Sequence, residues 1–224
     1  MDIVLSLVVL ILAYLVGSIP DGLIVARLFT GKDVRKIESG RTGGTNVMRA
    51  AGYPAGVITV ILDVLKGVAA SWITQAFFPQ GNPWLQAAAA LLAIVGHNYS
   101  ILLLEKDSSG RWRLRGGAGG ATCLGGSIGI YPYAWVFILP FAIICFFIIG
   151  YASLTTMFVA VGAVLLFGYF AITGTGTASW AYFFYGLGSV ALLFWALRPN
   201  IGRLMNGTER LVGLRAYLKR KKGG

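Results

Sequence analysis

His97 is the only histidine of the chain, in Val95-Gly-His-Asn-Tyr-Ser100. A lone imidazole usually finds a structural partner, and one with a pKa near neutrality also moves protons. Asp63 and Lys66 stand three apart in Ile61-Leu-Asp-Val-Leu-Lys-Gly67, on one face of a helix. A lone charge at mid-membrane costs roughly 2.5–3.5 kcal/mol on insertion scales, so both must face protein or water. Their spacing fits a structural ion pair and a site component equally. Two glycine-rich stretches add donors: Ser39-Gly-Arg-Thr-Gly-Gly-Thr-Asn46, running on to Arg49, and Gly116-Gly-Ala-Gly-Gly-Ala-Thr122. Glycine lets successive backbone N–H groups approach an anion, and a helix N-terminus adds about half a positive charge, so each stretch can cradle a phosphate or carboxylate. A turn with close helix packing is the alternative use of the same glycines.

Other chemistries lack their residues. Neither stretch matches the nucleotide P-loop pattern. Ser18, Ser39, Ser100, Ser153 and Asn200 can donate hydrogen bonds, but there is no G-x-S-x-G elbow and no second histidine for a serine triad. Carboxylate pairs for glycosidic chemistry and clusters of metal ligands are missing, so neither a metal nor a cofactor is expected. Cys123 and Cys145 lie in apolar stretches, where a free thiol behaves as a small hydrophobe.

The elements that must carry these residues are membrane helices. Of 224 residues 57% are apolar and only 12% charged, about half the ~25% of a soluble domain. The mean hydropathy is +0.75. No charged residue and no histidine occurs between Arg115 and Arg198. The apolar runs exceed the ~10-residue alternating strands of a membrane barrel. Met1 to Phe29 is longer than the apolar part of a signal peptide and lacks its cleavage pattern, so it reads as a retained first span. Further spans are expected at Pro54–Phe78, Trp84–Glu105, Gly119–Ile130, Tyr133–Gly150, Ser153–Ile172 and Ser179–Leu197, which makes about seven transmembrane helices in an all-α polytopic protein. Gly119–Ile130 is short for ~30 Å of hydrocarbon and fits a tilted or half-embedded helix.

The net charge of +11 is chiefly a topology signal. Apart from Lys66, every Lys and Arg belongs to one of three polar segments, around Arg27–Arg49, Lys106–Arg115 and Arg198–Lys222. The positive-inside rule places these in the cytoplasm, with the N-terminus outside and the C-terminus inside. The chain reads as one domain over 1–224, with an inserted polar loop at 106–115 and a basic tail at 215–224 suited to anionic lipid heads. Nucleic-acid binding is not expected, because no basic surface is interleaved with stacking aromatics.

Taken in order, these segments resemble a known family. Gly17-Ser-Ile-Pro20 with Gly22, Ser39-Gly40 with Gly43, Thr45, Asn46 and Arg49, Leu62-Asp-Val-Leu-Lys-Gly67, and Gly96-His97 follow the order of the bacterial membrane glycerol-3-phosphate acyltransferases that use acyl phosphate as donor. Downstream, Gly116–Thr122 resembles the family's Gly-Gly-Lys-Gly-x-Ala-Thr, Ser153-Leu154 its short serine motif, and Asn200-Ile-Gly-Arg-Leu204 with Gly207-Thr-Glu209 its C-terminal motif. The resemblance implies a seven-spanning enzyme of the bacterial inner membrane with its site towards the cytoplasm. Its reaction would move an acyl group from acyl phosphate to the sn-1 hydroxyl of glycerol 3-phosphate, giving lysophosphatidic acid and phosphate. Arg49 would grip the glycerol phosphate, Ser39 and Ser153 would add hydrogen bonds, and Asn46 and Asn200 would orient substrate or polarise the carbonyl. His97 would assist proton movement or hold the loop, and a substrate phosphate could itself serve as the base. Gly40, Gly43, Thr45, Lys66, Gly117 and Gly119 would complete the substrate-binding set.

The chain departs from that pattern at Ala118, where the family carries a phosphate-binding lysine, and at Leu197, where it carries a histidine. Arg41 stands for a usual asparagine and Gly44 for an alanine. A lost charge-assisted phosphate contact leaves about 1.5–3 kcal/mol unprovided. Arg111, Arg113 and Arg115 of the insert are the expected replacements. An acyltransferase is the leading expectation, against a catalytically impaired homologue that binds a phosphorylated lipid precursor or partner, or a small-anion transporter.

Overall fold

Proline and glycine set where the helices break. The computed structural model describes residues 2–107 and 109–222. The first apolar stretch is two helices, α1 (Asp2–Ser18) and α2 (Asp21–Thr30), because Pro20 at the junction has no N–H with which to continue the ladder. A 3-10 turn (Val34–Lys36) leads to α3 (Gly44–Ala51), then α4 (Tyr53–Phe77) and α5 (Pro83–Asn98).

The expected span over Trp84–Glu105 is helical only as far as Asn98. Beyond it, β1 (Ser100–Lys106) pairs antiparallel with β2 (Trp112–Arg115), with Ser100 opposite Arg115 and Lys106 opposite Trp112. Ser100 causes the change: its hydroxyl donates to the Ser18 carbonyl at 2.5 Å and accepts from the Leu102 N–H at 3.2 Å, which ties the chain to the end of α1. The polar insert at 106–115 is therefore the tip and second strand of a hairpin.

The rest of the chain is helical: α6 (Gly120–Ile130), α7 (Ala134–Ile144) continuing into a π turn (Cys145–Ile149), α8 (Ala152–Thr173), α9 (Trp180–Met205) and α10 (Gly213–Lys222). The segment expected as a basic tail is thus mostly helix α10. It docks on the π turn, where Arg215 donates to the Ile149 carbonyl at 3.0 Å and the Val212 N–H to Gly150 at 2.9 Å. Among the described residues, four helical stretches are long and apolar enough to cross a bilayer: Ile3–Thr30, Tyr53–Phe77, Ala152–Thr173 and Trp180–Met205.

α6 occupies the middle of the bundle, which is why 11 residues suffice. It packs on α4, α5, α7, α8 and α9, and only three of its residues are not fully buried. Its contact with α4 is made of glycine on both sides. A Cβ on Gly67 would run into the Thr122 carbonyl and the backbone of Gly125 and Gly126, and one on Gly125 into the Val64 carbonyl. Tyr185 and Phe167 close the core from α9 and α8, with the Tyr185 hydroxyl donating to the Cys123 carbonyl at 2.6 Å.

Candidate functional site

A buried charge cluster lies under the site. Asp63 Oδ1 is 2.8 Å from Lys66 Nζ and 3.2 Å from His97 Nδ1, while Lys66 also reaches Asp21 at 3.0 Å and the Ile19 carbonyl at 3.0 Å. The side chains of Asp63, Lys66 and His97 are 5% exposed or less, so the cations and carboxylates must satisfy one another. The imidazole is held on both sides, with Asp63 at Nδ1 and Gly117 at Nε2. The His97 backbone carbonyl accepts from the Gly117 N–H at 2.9 Å, and Gly117 lies so close over Nε2 that a Cβ there would overlap the ring. Glycine at 117 is thus required by close approach.

Above His97 opens a cavity of about 310 Å³. One wall is the first glycine stretch and α3. Asn46 Nδ2 lies 3.0 Å from the Val34 and Ile37 carbonyls and 2.8 Å from that of Arg41, so this amide folds the loop over the start of α3. Asn46 Oδ1 is buried with no partner among the described residues. Arg49 faces the cavity half-buried and unpaired by any carboxylate among the described residues. Burial pulls its guanidinium pKa down, with Glu38 pulling it back up. Arg41 donates to the Ala196 carbonyl, leaves Nη1 buried without a partner, and is likewise lowered by burial, with Arg203 adding to the effect. An anion placed in the cavity would offset what burial takes from both.

The opposite wall comes from α8 and α9. Ser153 Oγ is buried with no partner among the described residues. Asn200 Nδ2 donates to Glu209 Oε1 at 2.9 Å, and Arg203 Nε donates to the other oxygen of that carboxylate at 2.8 Å. Arg210 pairs with Glu38 at 2.7 Å, which ties the C-terminal segment to the loop before Ser39. The remaining flank is apolar, from Leu124, Leu139, Ile143, Phe146, Phe147 and Val159. The cavity is therefore cationic and hydrogen-bonding at one end and hydrocarbon-like at the other.

Ser39, Gly43, Thr45, Asn46, Arg49, His97, Gly119, Ser153 and Asn200 all line this cavity. Gly40 and Gly117 line a second cavity beside it instead. Lys66 is on neither wall, because Asp63, Asp21 and the Ile19 carbonyl consume its ammonium. Ala118 and Leu197 both face the first cavity. The arginines of the insert do not reach it: Arg111 and Arg113 turn to Asp107, at 3.7 and 2.8 Å, and Arg115 pairs with Glu105. The cations that line the same cavity as Ala118 are Arg41, Arg49 and Arg210. Sequence reasoning singled out neither Asp21 nor Glu209 as functional. An acidic residue directly after Pro20 in a long apolar run was the available signal for the first, and the one carboxylate in the C-terminal segment for the second.

Residues 7–207 match a family model described as glycerol-3-phosphate acyltransferase. The chain is similar to glycerol-3-phosphate acyltransferase 2 of Moorella thermoacetica, at 38% identity over 94% of this chain and 99% of the relative. It is also similar to the glycerol-3-phosphate acyltransferase of Thermus thermophilus, at 37% identity over 92% and 95%. Among solved structures it resembles PlsY (YgiH), an integral membrane glycerol 3-phosphate acyltransferase, in its glycerol 3-phosphate form. The TM-score is 0.78 at 31% identity, covering 95% of this chain and 98% of that one.

Proposed function

Since this chain belongs to the glycerol-3-phosphate acyltransferase family, we propose that it is a membrane acyltransferase that takes the acyl group of acyl phosphate to the sn-1 hydroxyl of glycerol 3-phosphate. The observation that carries this reading is one cavity in which Arg49, Arg41 and three polar side chains with unmet or shared hydrogen bonds meet an apolar flank. Arg49 and the N–H groups at the start of α3 hold the glycerol phosphate, since a helix N-terminus favours an anion. Phe146, Phe147 and Val159 take the acyl chain. The Asn200 amide, fixed by Glu209, polarises the acyl carbonyl, and Ser39 and Ser153 orient the two phosphates.

In the reaction the hydroxyl oxygen bonds to the acyl carbon, the carbon–oxygen bond to the donor's phosphate breaks, and the hydroxyl proton ends on the departing phosphate. His97 is a positioning residue in this scheme: with Nδ1 beside Asp63 and Nε2 against Gly117, it holds the glycine turn that covers the donor. The test is release of phosphate from acyl phosphate by purified protein in detergent. Release should require glycerol 3-phosphate, and acyl-CoA should not replace the donor. Binding of glycerol 3-phosphate without turnover would instead favour an impaired homologue.

The same reading includes seven crossings in a bacterial plasma membrane with the cavity facing the cytoplasm. It is supported by the way helix ends alternate about the cavity. Tyr53 at the start of α4, His97 near the end of α5, Gly120 at the start of α6, Phe147 after α7, Ser153 on α8 and Asn200 on α9 all line it. The loop 31–43, the hairpin and the end of α9 also share the neighbouring cavity, so the three basic segments meet at one end of the bundle.

A further inference from the structure

Helix α10 lies beyond the part of the chain that matches the family, which ends at residue 207. Its ten residues include five cations, Arg215, Lys219, Arg220, Lys221 and Lys222, and no acidic residue follows Glu209. Leu214, Tyr217 and Leu218 stand at i, i+3 and i+4, on one stripe of the helix, and all three are exposed. Exposed Lys219 and Lys221 lie beside that stripe. Arg215, on another side, holds α10 to the bundle: it donates to the Ile149 carbonyl and lies 5.4 Å over the Tyr151 ring. The helix therefore docks by one side and turns an apolar stripe with flanking cations outward. A helix so divided lies in the plane of a membrane interface, its apolar residues dipping under the head groups and its cations among anionic ones. The bilayer surface is at hand, because α10 packs on the π turn between α7 and α8.

The contacts of α10 reach the first cavity. A Cβ on Gly213, which has φ +61°, would run into the Phe146 carbonyl and the Phe147 backbone, and Phe146 and Phe147 line the apolar end of that cavity. Just before the helix, Glu209 holds Asn200 and Arg203, and Arg210 pairs with Glu38. Residues 209–215 thus form a strap from the polar end of the cavity to its apolar end. We propose that α10 binds the anionic surface of the bilayer, with Leu214 and Leu218 inserted, and that this contact holds the strap and the π turn closed over the acyl chain. Tyr217 sits at head-group level, where an amphipathic ring is favoured. The docking stands whatever the cavity does, while the closing rests on the acyltransferase reading. Each cation near an anionic surface adds about fivefold to membrane affinity, and salt screens the effect.

The docking is tested on the full chain in nanodiscs of phosphatidylcholine, alone or mixed equally with phosphatidylglycerol. A nitrobenzoxadiazole dye is carried by Leu218→Cys in a Cys123→Ala/Cys145→Ala background. Emission should be brighter and blue-shifted in the anionic discs. The difference should vanish in high salt and in the quadruple variant Lys219→Gln/Arg220→Gln/Lys221→Gln/Lys222→Gln. Equal emission in both lipids would overturn the proposal. So would a shift caused by soluble polyglutamate and not by the anionic lipid, which would assign this face to an acidic protein. The closing is read without the dye, from the Kd of an acyl phosphonate, a donor analogue that cannot transfer its chain. In anionic discs the quadruple variant should bind it about three- to tenfold more weakly than the wild type, within the range that one or two surface cations supply. In phosphatidylcholine the two should agree. Equal Kd values in the anionic discs would overturn the closing. No binding of the phosphonate by either chain, with the dye response intact, would instead sink the acyltransferase reading and the closing with it, and leave the docking standing.

Discussion

Arg49 faces the first cavity without a carboxylate partner among the described residues, so its charge is available to a substrate. Replacing it with Ala should raise KM for glycerol 3-phosphate by about 10- to 150-fold, the equivalent of ~1.5–3 kcal/mol for one charge-assisted contact, with a smaller change in kcat. Steady-state kinetics with glycerol 3-phosphate varied at saturating acyl phosphate measures this. Asp63 behaves differently, because its loss strands other charges. With Asp63→Asn, Lys66 keeps only Asp21 and the Ile19 carbonyl, and His97 loses its anion. Breaking a buried ionic cluster from one side costs about 3–5 kcal/mol, so thermal unfolding in detergent should shift down markedly. Adding Lys66→Met should recover part of the loss. His97→Gln separates positioning from base catalysis. If the imidazole holds Gly117, activity falls while the pH profile of kcat keeps its shape; loss of one limb of that profile would make His97 the base instead. Much of the candidate site was legible at this scale, because the two glycine stretches, Arg49, His97, Ser153 and Asn200 carry their types and spacing openly. The partners that hold them were not. Asp63 meets His97 from another helix 34 residues away, whereas helical spacing reveals only neighbours such as Lys66. Lys66 was read as a substrate ligand because its sequence neighbourhood does not show Asp21 arriving across the bundle.

At the scale of elements, the glycine contact between α4 and α6 fixes the depth at which Asp63 presents its carboxylate to His97. Gly67→Leu would drive a side chain into the Thr122 carbonyl and the Gly125–Gly126 backbone, which cannot yield as a side chain does. We expect at least the ~1–3 kcal/mol of an overpacked core and a matching fall in activity, since the displaced helices carry Asp63 and the Gly119–Gly120 turn. Gly162→Ala is the control: a Cβ there meets only ordinary contact with Ile138. Both are read by melting temperature and turnover in the same detergent. The helices themselves were largely legible from apolar run length and from proline and glycine at their ends. What was not legible was the end of α5. Ser100-Ile-Leu-Leu-Leu104 is as apolar as a helix, and only the pairing with Trp112–Arg115 and the hydrogen bond to Ser18 make it a strand. Apolar composition without periodicity does not distinguish the two.

For the whole molecule, charge distribution was the most legible property, because it depends on which segments carry Lys and Arg and not on how they pack. The seven-crossing reading turns it into a labelling prediction. Among the described residues, four apolar stretches are long enough to cross alone. α6, at 11 residues and ~16 Å, is not, and α5, at 16 residues and ~24 Å, falls short of the ~30 Å hydrocarbon. Short helices are tolerable in the bundle interior, where neighbouring helices replace lipid as the surroundings of their ends. Cys123 and Cys145 are buried, so a background with both replaced by Ala should fold and provide a silent starting point. Single cysteines at Lys32, Ser109 and Tyr217 should then react with a membrane-impermeant maleimide only in inside-out vesicles, and those at Gly81, Tyr133 and Thr175 only in right-side-out cells. If α6 fails to cross while α7, α8 and α9 still do, Tyr133 labels from the cytoplasmic side together with Ser109, and Thr175 and Tyr217 exchange sides as well. The first cavity would then lose Leu124, Leu139 and Ile143, the part of its apolar flank that α6 and α7 supply. The same six cysteines thus decide between a through-membrane core helix and a half-embedded one, and with it whether the apolar end of the cavity opens to the bilayer.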